Sequence, residues 1–333
     1  MHVHFENSTT RSEPFWLTRE LIKVAQATNP ALPGQVRFSV STDLENIESD
    51  LSTANVLVTS SPVIKDPRFP RHALTRFSPH LQFIHLIDAG VEDVMPLSWL
   101  PANVQLINNS GVHVAKAREF LIMAILALNS RWPRIMFNQR QRHWEPIFTP
   151  VVRGKCLLVV GLGHLGGAAV SAGLALNMRI LGVRRSGAPV PGVEWVYLPQ
   201  ELPEALAKAD IIVICTPVTV ETRNLFNRTL LSAAKPGAAL INIARGDVLD
   251  HDALVDFLHS GHLSGAVLDV LPEEPLPPSS ILWRCPNLMI NPRVGADDPT
   301  TYMDETMRLL FDNLHRLLSG APLRNVIDRI NEY

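Results

Sequence analysis

The chain has 333 residues, 46% of them apolar, and a formal charge of −2, long enough for two domains with separate cores and too apolar for a disordered chain. Near-neutral charge without a basic stripe excludes a nucleic-acid partner, and no run reaches the ~20 apolar residues of a membrane-spanning helix. The opening Met1-His2-Val3-His4-Phe5-Glu6 carries no signal core, and the three scattered cysteines, Cys156, Cys215 and Cys285, match neither a disulfide framework nor a metal site, so the expectation is a cytoplasmic protein.

In chain order, residues 36–40, 56–59, 83–87 and 104–107 have the composition of buried strands, and 17–27 and 71–77 the spacing of helices. A very apolar helical pattern follows at 114–132, and residues 140–151 lack periodicity and read as an arm or loop. The alternation then becomes regular. Strands at 156–160, 180–183, 211–215, 239–243, 266–270 and 288–291 are separated by helical stretches at 166–176, 201–209, 225–234 and 251–260. Apolar strands separated by helices of this length form β-α-β units on a parallel sheet. The Pro-rich 272–280 is a loop, and 300–318 carries Met303, Met307, Leu310, Phe311, Leu314 and Leu317 at helical spacing, a packing stripe.

The first of the regular strands runs into Gly161-Leu162-Gly163-His164-Leu165-Gly166 and then into a helix. In this setting Gly161 serves a tight turn, Gly163 lets a pyrophosphate approach the backbone, and Gly166 allows close helix–strand packing. The helix start offers unpaired N–H groups and a positive dipole end. The next strand ends in Arg184-Arg185-Ser186, where an NAD site usually has the acid that holds the ribose hydroxyls. Guanidinium forks and a hydroxyl suit a 2′-phosphate instead, so NADPH is the preferred cofactor and NADH the lesser alternative. Two arginines that merely face solvent at a strand end are the competing explanation.

Five further motifs follow in order: Asp88-Ala89-Gly90-Val91, Asn109-Ser110-Gly111 with Glu119, Cys215-Thr216-Pro217 with Thr222, Asn242-Ile243-Ala244-Arg245-Gly246-Asp247, and Leu268-Asp269-Val270-Leu271-Pro272-Glu273-Glu274-Pro275. Together with the glycine turn they resemble the D-isomer-specific 2-hydroxyacid dehydrogenases, in flavour the glyoxylate/hydroxypyruvate reductase branch. The resemblance implies an α/β protein of two doubly wound parallel-sheet domains separated by a cleft. A flavodoxin-like substrate domain would comprise residues 1–110 with 297–333, and an inserted NAD(P)-binding Rossmann domain residues 111–296. It implies reduction of a small 2-keto acid by a homodimer. Arg245 would bind the substrate carboxylate and polarise the keto oxygen, a task that suits a permanently charged fork. Glu274 would occupy the family's catalytic acidic position, with Glu273 its rival if the register slips by one. The backbone of Ala89 and Gly90 would cradle the substrate as a small anion nest. Trp144 would reach a neighbouring subunit's pocket or simply pack. Cys215, Thr216, Pro217 and Thr222 would line the adenosine side, Asp269 would bond the nicotinamide amide, and Ile243, Ala244 and Gly295 would also contact the cofactor.

One position departs from that pattern. The family's Pro-His pair after the last Rossmann strand reads Asn291-Pro292-Arg293-Val294-Gly295 here. Arginine keeps its proton and cannot act as a general acid near neutral pH. Three explanations stay open: Arg293 stabilises an oxyanion while water supplies the proton; Arg293 pairs with Glu274 and binds a second anionic group on the substrate; or the chain binds or senses NADP(H) without substantial turnover. A proton donor from elsewhere is a further possibility, and His113, Asp297 and Tyr302 are the candidates in sequence.

Overall fold

The computed structural model describes residues 1–10 and 12–330, and it divides into two compact units: Met1–Val112 with the chain from Asp298, and His113–Asp297. The first unit is built on five parallel strands, β1 (His2–Asn7), β2 (Arg37–Thr42), β3 (Val56–Thr59), β4 (Phe83–Leu86) and β5 (Gln105–Ile107), in the order β2-β1-β3-β4-β5. This is the flavodoxin-like order. Sequence reading passed over β1, because its polar residues alternate with Val3 and Phe5 and break any apolar run. The polar face is buried and satisfied internally. His4 and Glu6 are fully buried; the His4 ring lies 2.8 Å from the Ser39 hydroxyl and 3.1 Å from Glu6, whose other oxygen accepts the Leu44 N–H at 2.9 Å. Unbonded, such groups would cost several kcal/mol, roughly 2–7 each. The C-terminal helix Tyr302–Ser319 presses Met303, Met307, Leu310, Phe311 and Leu314 onto Val3, Phe5, Val56 and Val58, and it stops at Gly320 in the left-handed conformation.

The second unit carries seven parallel strands: β6 (Cys156–Val160), β7 (Arg179–Val183), β8 (Trp195–Tyr197), β9 (Ile211–Ile214), β10 (Ala238–Asn242), β11 (Leu263–Leu268) and β12 (Leu288–Ile290). Their order, β12-β11-β10-β9-β6-β7-β8, reverses direction between β6 and β9, the Rossmann switch point. The strands from β6 to β11, except the short edge strand β8, are buried almost throughout because helices cover both faces. His164–Ala175 and Val114–Asn129 lie on one side. Leu202–Lys208, Arg228–Ser232 and His251–His259 lie on the other. The helix expected over 114–132 instead ends at Asn129. Arg131 turns into the left-handed region (φ 56°), and a second helix, Trp132–Arg140, departs at 69°. Pro133 explains the break, since it has no N–H for the first helix and fits the first turn of the next. Among the described residues, no single helix is long and apolar enough to cross a membrane.

In β4, His85 is fully buried; Nε2 lies 3.3 Å from the Asn109 amide oxygen and Nδ1 has no partner. Burial pulls its pKa down from 6.5 to about 4, so the folded chain excludes a proton that the unfolded chain takes up. Stability is therefore full above pH 6.5 and expected to fall as the pH drops toward about 4, by about 3 kcal/mol when complete. Urea titrations across that range should show the loss, and His85→Met should flatten it.

Candidate active site

The end of β6 forms the glycine turn, and each glycine answers a different constraint. Gly161 has φ +99°, and a Cβ there would lie 2.9 Å from the backbone of Cys215 and Thr216. A Cβ on Gly166 would lie 2.0 Å from the Gly161 carbonyl oxygen, so the helix His164–Ala175 could not start this close to the turn with any other residue. Gly163 is different: a Cβ there meets nothing within 4 Å. Packing does not demand a glycine at 163; room for a ligand against the backbone does. His164 and Leu165 open the helix with no side-chain cap on its N–H groups. The Thr216 hydroxyl, beside the turn, is buried without a hydrogen-bond partner. An open anion-binding helix start and an orphaned hydroxyl fit the diphosphate of a dinucleotide.

Arg184, Arg185 and Ser186 follow β7 in a turn closed by the Gly187 N–H on the Arg184 carbonyl (3.2 Å), with Arg185 and Ser186 exposed and Arg184 half-buried. After β9, Cys215 is held by its N–H on the Val160 carbonyl (2.8 Å), and burial pushes its thiol pKa up, which makes it an inert packing group. Thr222 donates to the Pro217 carbonyl at 2.6 Å and accepts the Thr219 N–H at 2.8 Å. Its hydroxyl shapes this loop.

Arg245 sits in extended backbone just past β10 and is half-buried. Its turn, with Ile243 and Ala244, is held by Asn242, whose fully buried amide accepts the Ala244 N–H (3.0 Å) and donates to the Arg245 carbonyl (2.9 Å). Gly246 cannot carry a side chain, because a Cβ would lie 2.0 Å from the Leu271 carbonyl oxygen. At the end of β11, Asp269 is 4% exposed and accepts the Gly295 N–H (2.9 Å) and the Asn291 amide. Burial raises its pKa, and the Asn291 bond acts against that rise. A Cβ on Gly295 would come within 2.9 Å of both Asp269 and the Phe120 ring. The loop after β12 is thus drawn tightly to the end of β11. On it Arg293 adopts the left-handed conformation (φ 55°), uncommon for a residue with a side chain, and donates to Glu274 at 2.9 Å. The other Glu274 oxygen accepts the Leu271 N–H at 3.0 Å. Glu274, rather than Glu273, faces Arg293.

In the other unit, Ala89 and Gly90 follow β4. The Asp88 carboxylate accepts the Ser61 N–H (2.7 Å), and the Ala89 carbonyl accepts from Asn108 (2.7 Å). The N–H groups of Ala89 and Gly90 meet no acceptor among the described residues. Tyr302 donates its hydroxyl to the Ile87 carbonyl in the core of that unit. Trp144, on the segment 141–151, is 93% exposed, and Phe148 beside it is 94% exposed. Sequence reading gave no role to Asn242 or Asn291. Both were detectable as amides at the end of otherwise apolar strands, where a buried polar group must have a partner.

A family model described as "D-isomer specific 2-hydroxyacid dehydrogenase, NAD binding domain" matches residues 122–295. A glyoxylate reductase of Thermofilum pendens is 31% identical over 230 residues, 66% of this chain and 67% of that protein. Glyoxylate/hydroxypyruvate reductase A of Escherichia fergusonii is 28% identical, over 76% of this chain and 82% of its own. A D-isomer specific 2-hydroxyacid dehydrogenase from Xanthobacter autotrophicus Py2, solved with NADPH and MES, superposes with a TM-score of 0.83 at 26% identity over 99% of both chains. The NADPH-dependent glyoxylate/hydroxypyruvate reductase of Sinorhizobium meliloti, solved with NADP and sulfate, has a TM-score of 0.79 at 25% identity over 100% of both.

Two glycine substitutions separate cradle from scaffold. Gly163→Ala is expected to leave the melting temperature near wild type and to weaken dinucleotide binding by about tenfold or more, since a methyl would fill the ligand's space. Gly166→Ala is expected to lower the melting temperature, since its Cβ meets backbone. Fluorescence titration and thermal melts check both.

Proposed function

The chain belongs to the D-isomer specific 2-hydroxyacid dehydrogenase family, and we propose that it is an NADPH-dependent reductase converting a small 2-keto acid, with glyoxylate and hydroxypyruvate the first candidates, to the D-2-hydroxy acid. The observation that carries this reading is the half-buried Arg245 at the carboxyl end of β10, on the same sheet edge as the β6 turn, whose glycines are intact. Two arginines replace the ribose-binding acid after β7, and relatives of the same fold hold NADPH or NADP. Residues 111–296 would form the dinucleotide domain, and residues 1–110 with 297–333 the substrate domain.

The dinucleotide, when bound, supplies the hydride. Gly161, Gly163, His164, Leu165 and Gly166 would hold its diphosphate; Arg184, Arg185 and Ser186 its 2′-phosphate; Cys215, Thr216, Pro217 and Thr222 its adenosine side; Ile243, Ala244, Asp269 and Gly295 its nicotinamide side. Arg245 binds the substrate carboxylate and draws electron density toward the keto oxygen. In the other unit, the N–H pair of Ala89 and Gly90, which meets no acceptor among the described residues, suits an anionic group. Glu274 accepts from both the Arg293 guanidinium and the Leu271 N–H. A guanidinium does not give up its proton near neutral pH, so Arg293 acts by charge on the developing oxyanion. The exposed Trp144 and Phe148 suit a homodimer contact.

A screen of NADPH oxidation over glyoxylate, hydroxypyruvate, pyruvate, oxaloacetate and phenylpyruvate, with NADH in parallel, tests the assignment. No turnover of any of them would refute it. Arg184→Ala is expected to raise KM for NADPH by about tenfold or more while barely changing that for NADH, because a charge-assisted fork to phosphate contributes roughly 1.5–3 kcal/mol. Arg293→His, which places an imidazole beside Glu274, is expected to raise kcat on the best substrate. A fall in kcat would give the arginine a chemical role that histidine cannot take.

A further inference from the structure

The Arg293–Glu274 pair leaves the reaction without a proton source, and resting on the reductase reading above, we propose that His113, oriented by Asp297, donates the proton to the substrate oxygen. The loop that carries Arg293 continues directly to this histidine. Gly295 is fastened to Asp269, and the next residue, Ala296, has its carbonyl oxygen 3.2 Å from His113 Nδ1. The Asp297 carboxylate lies 3.5 Å from the same nitrogen, and the ring is only 14% exposed. His113 opens the helix Val114–Asn129, and Phe120 lies seven residues, or two turns, further along. The two therefore share a helix face, and Phe120 is the ring against which Gly295 is packed. One helix face thus touches the 293–297 loop at two points, with the histidine at one of them.

The bond to Ala296 fixes a tautomer. Nδ1–H donates to the carbonyl, so the exchangeable proton of the charged ring is on Nε2. The Asp297 carboxylate sits 3.5 Å from Nδ1, on the side where a carboxylate stands beside a catalytic imidazole. Charged groups near the ring include Asp297, Asp269 behind Gly295, and Lys116 one turn along the helix, which is directed to Glu119 at 3.3 Å. The other histidines of this unit lie on the glycine turn (His164), on the arm (His143), or at 251, 259 and 262 on the helix His251–His259 and the turn after it. In the reaction, the keto carbon accepts the hydride and the C=O electron pair moves onto oxygen. That oxygen takes the Nε2 proton, and the neutral ring regains one from water. The sum is keto acid plus hydride plus proton to hydroxy acid.

The test uses full-length wild type, His113→Gln, Asp297→Asn, Arg293→His and the Arg293→His/His113→Gln double variant, with kcat followed across pH and NADPH affinity measured by fluorescence. His113→Gln is expected to lower kcat by about 10²–10⁴-fold at unchanged NADPH affinity and to abolish the alkaline limb of the profile, where an imidazolium acid is lost. Asp297→Asn should move that limb to lower pH. In the Arg293→His background, where a second acid stands ready, His113→Gln should cost less than about tenfold, a departure from additivity expected only of interchangeable donors. Wild-type turnover with an unaltered limb in His113→Gln overturns the inference and leaves the reductase reading standing. An equal loss in both backgrounds also overturns it, by making the ring structural. A wild type that turns over no 2-keto acid removes the reductase reading and this inference together.

Discussion

The second unit depends on one buried carboxylate. Asp269, at the end of β11, accepts the Gly295 N–H and the Asn291 amide and is almost without solvent. Burial raises the pKa of such a carboxylate, and the Asn291 and Gly295 hydrogen bonds from the loop after β12 act against that rise. The loop in turn has no freedom at Gly295, where any side chain would strike Asp269 or Phe120. Carboxylate and loop hold each other, and the left-handed turn at Arg293 follows from that mutual constraint.

The chemistry then rests on what the loop presents. Histidine beside a glutamate can pass a proton back and forth, whereas arginine beside Glu274 makes a lasting ion pair. In the proposed reaction the exchange keeps a positive charge on the loop and removes a group that can give up a proton. At a site exposed on one side, such a pair contributes little to stability, which makes its value one of position and electrostatics. In the proposed reaction proton delivery is assigned to another group: Ala296 and Asp297, the two residues after Gly295, meet His113.

The parallel sheet explains why these residues are near one another at all. The glycine turn, Arg184, Cys215-Thr216-Pro217, Arg245, Asp269 and Arg293 each follow the carboxyl end of a different strand, from β6 to β12. Parallel strands put all those ends on one edge, and the reversal of order between β6 and β9 opens the crevice there. Residues more than a hundred positions apart in sequence become neighbours without any of them being specified as a pair.

Local features were legible in the chain. The apolar runs of β6 to β11, except β8, and the glycine spacing at 161–166 rest on backbone sterics and burial, which act over a few residues and so leave a pattern. The substitution of Arg293 for histidine could also be read directly. Pairings across long separations could not. That β1 is a strand is decided by Ser39, Glu6 and Leu44 satisfying its polar face; that Glu274 rather than Glu273 meets Arg293 is decided by the course of the 271–275 loop; and that His113 meets Ala296 and Asp297 is decided by the fold bringing residues more than 180 positions apart against one helix start. The sequence by itself determined which segments bury and where a dinucleotide can rest, because those follow from local chemistry; only the tertiary structure decided which charges face one another, because a side chain's partner depends on where the rest of the chain has gone.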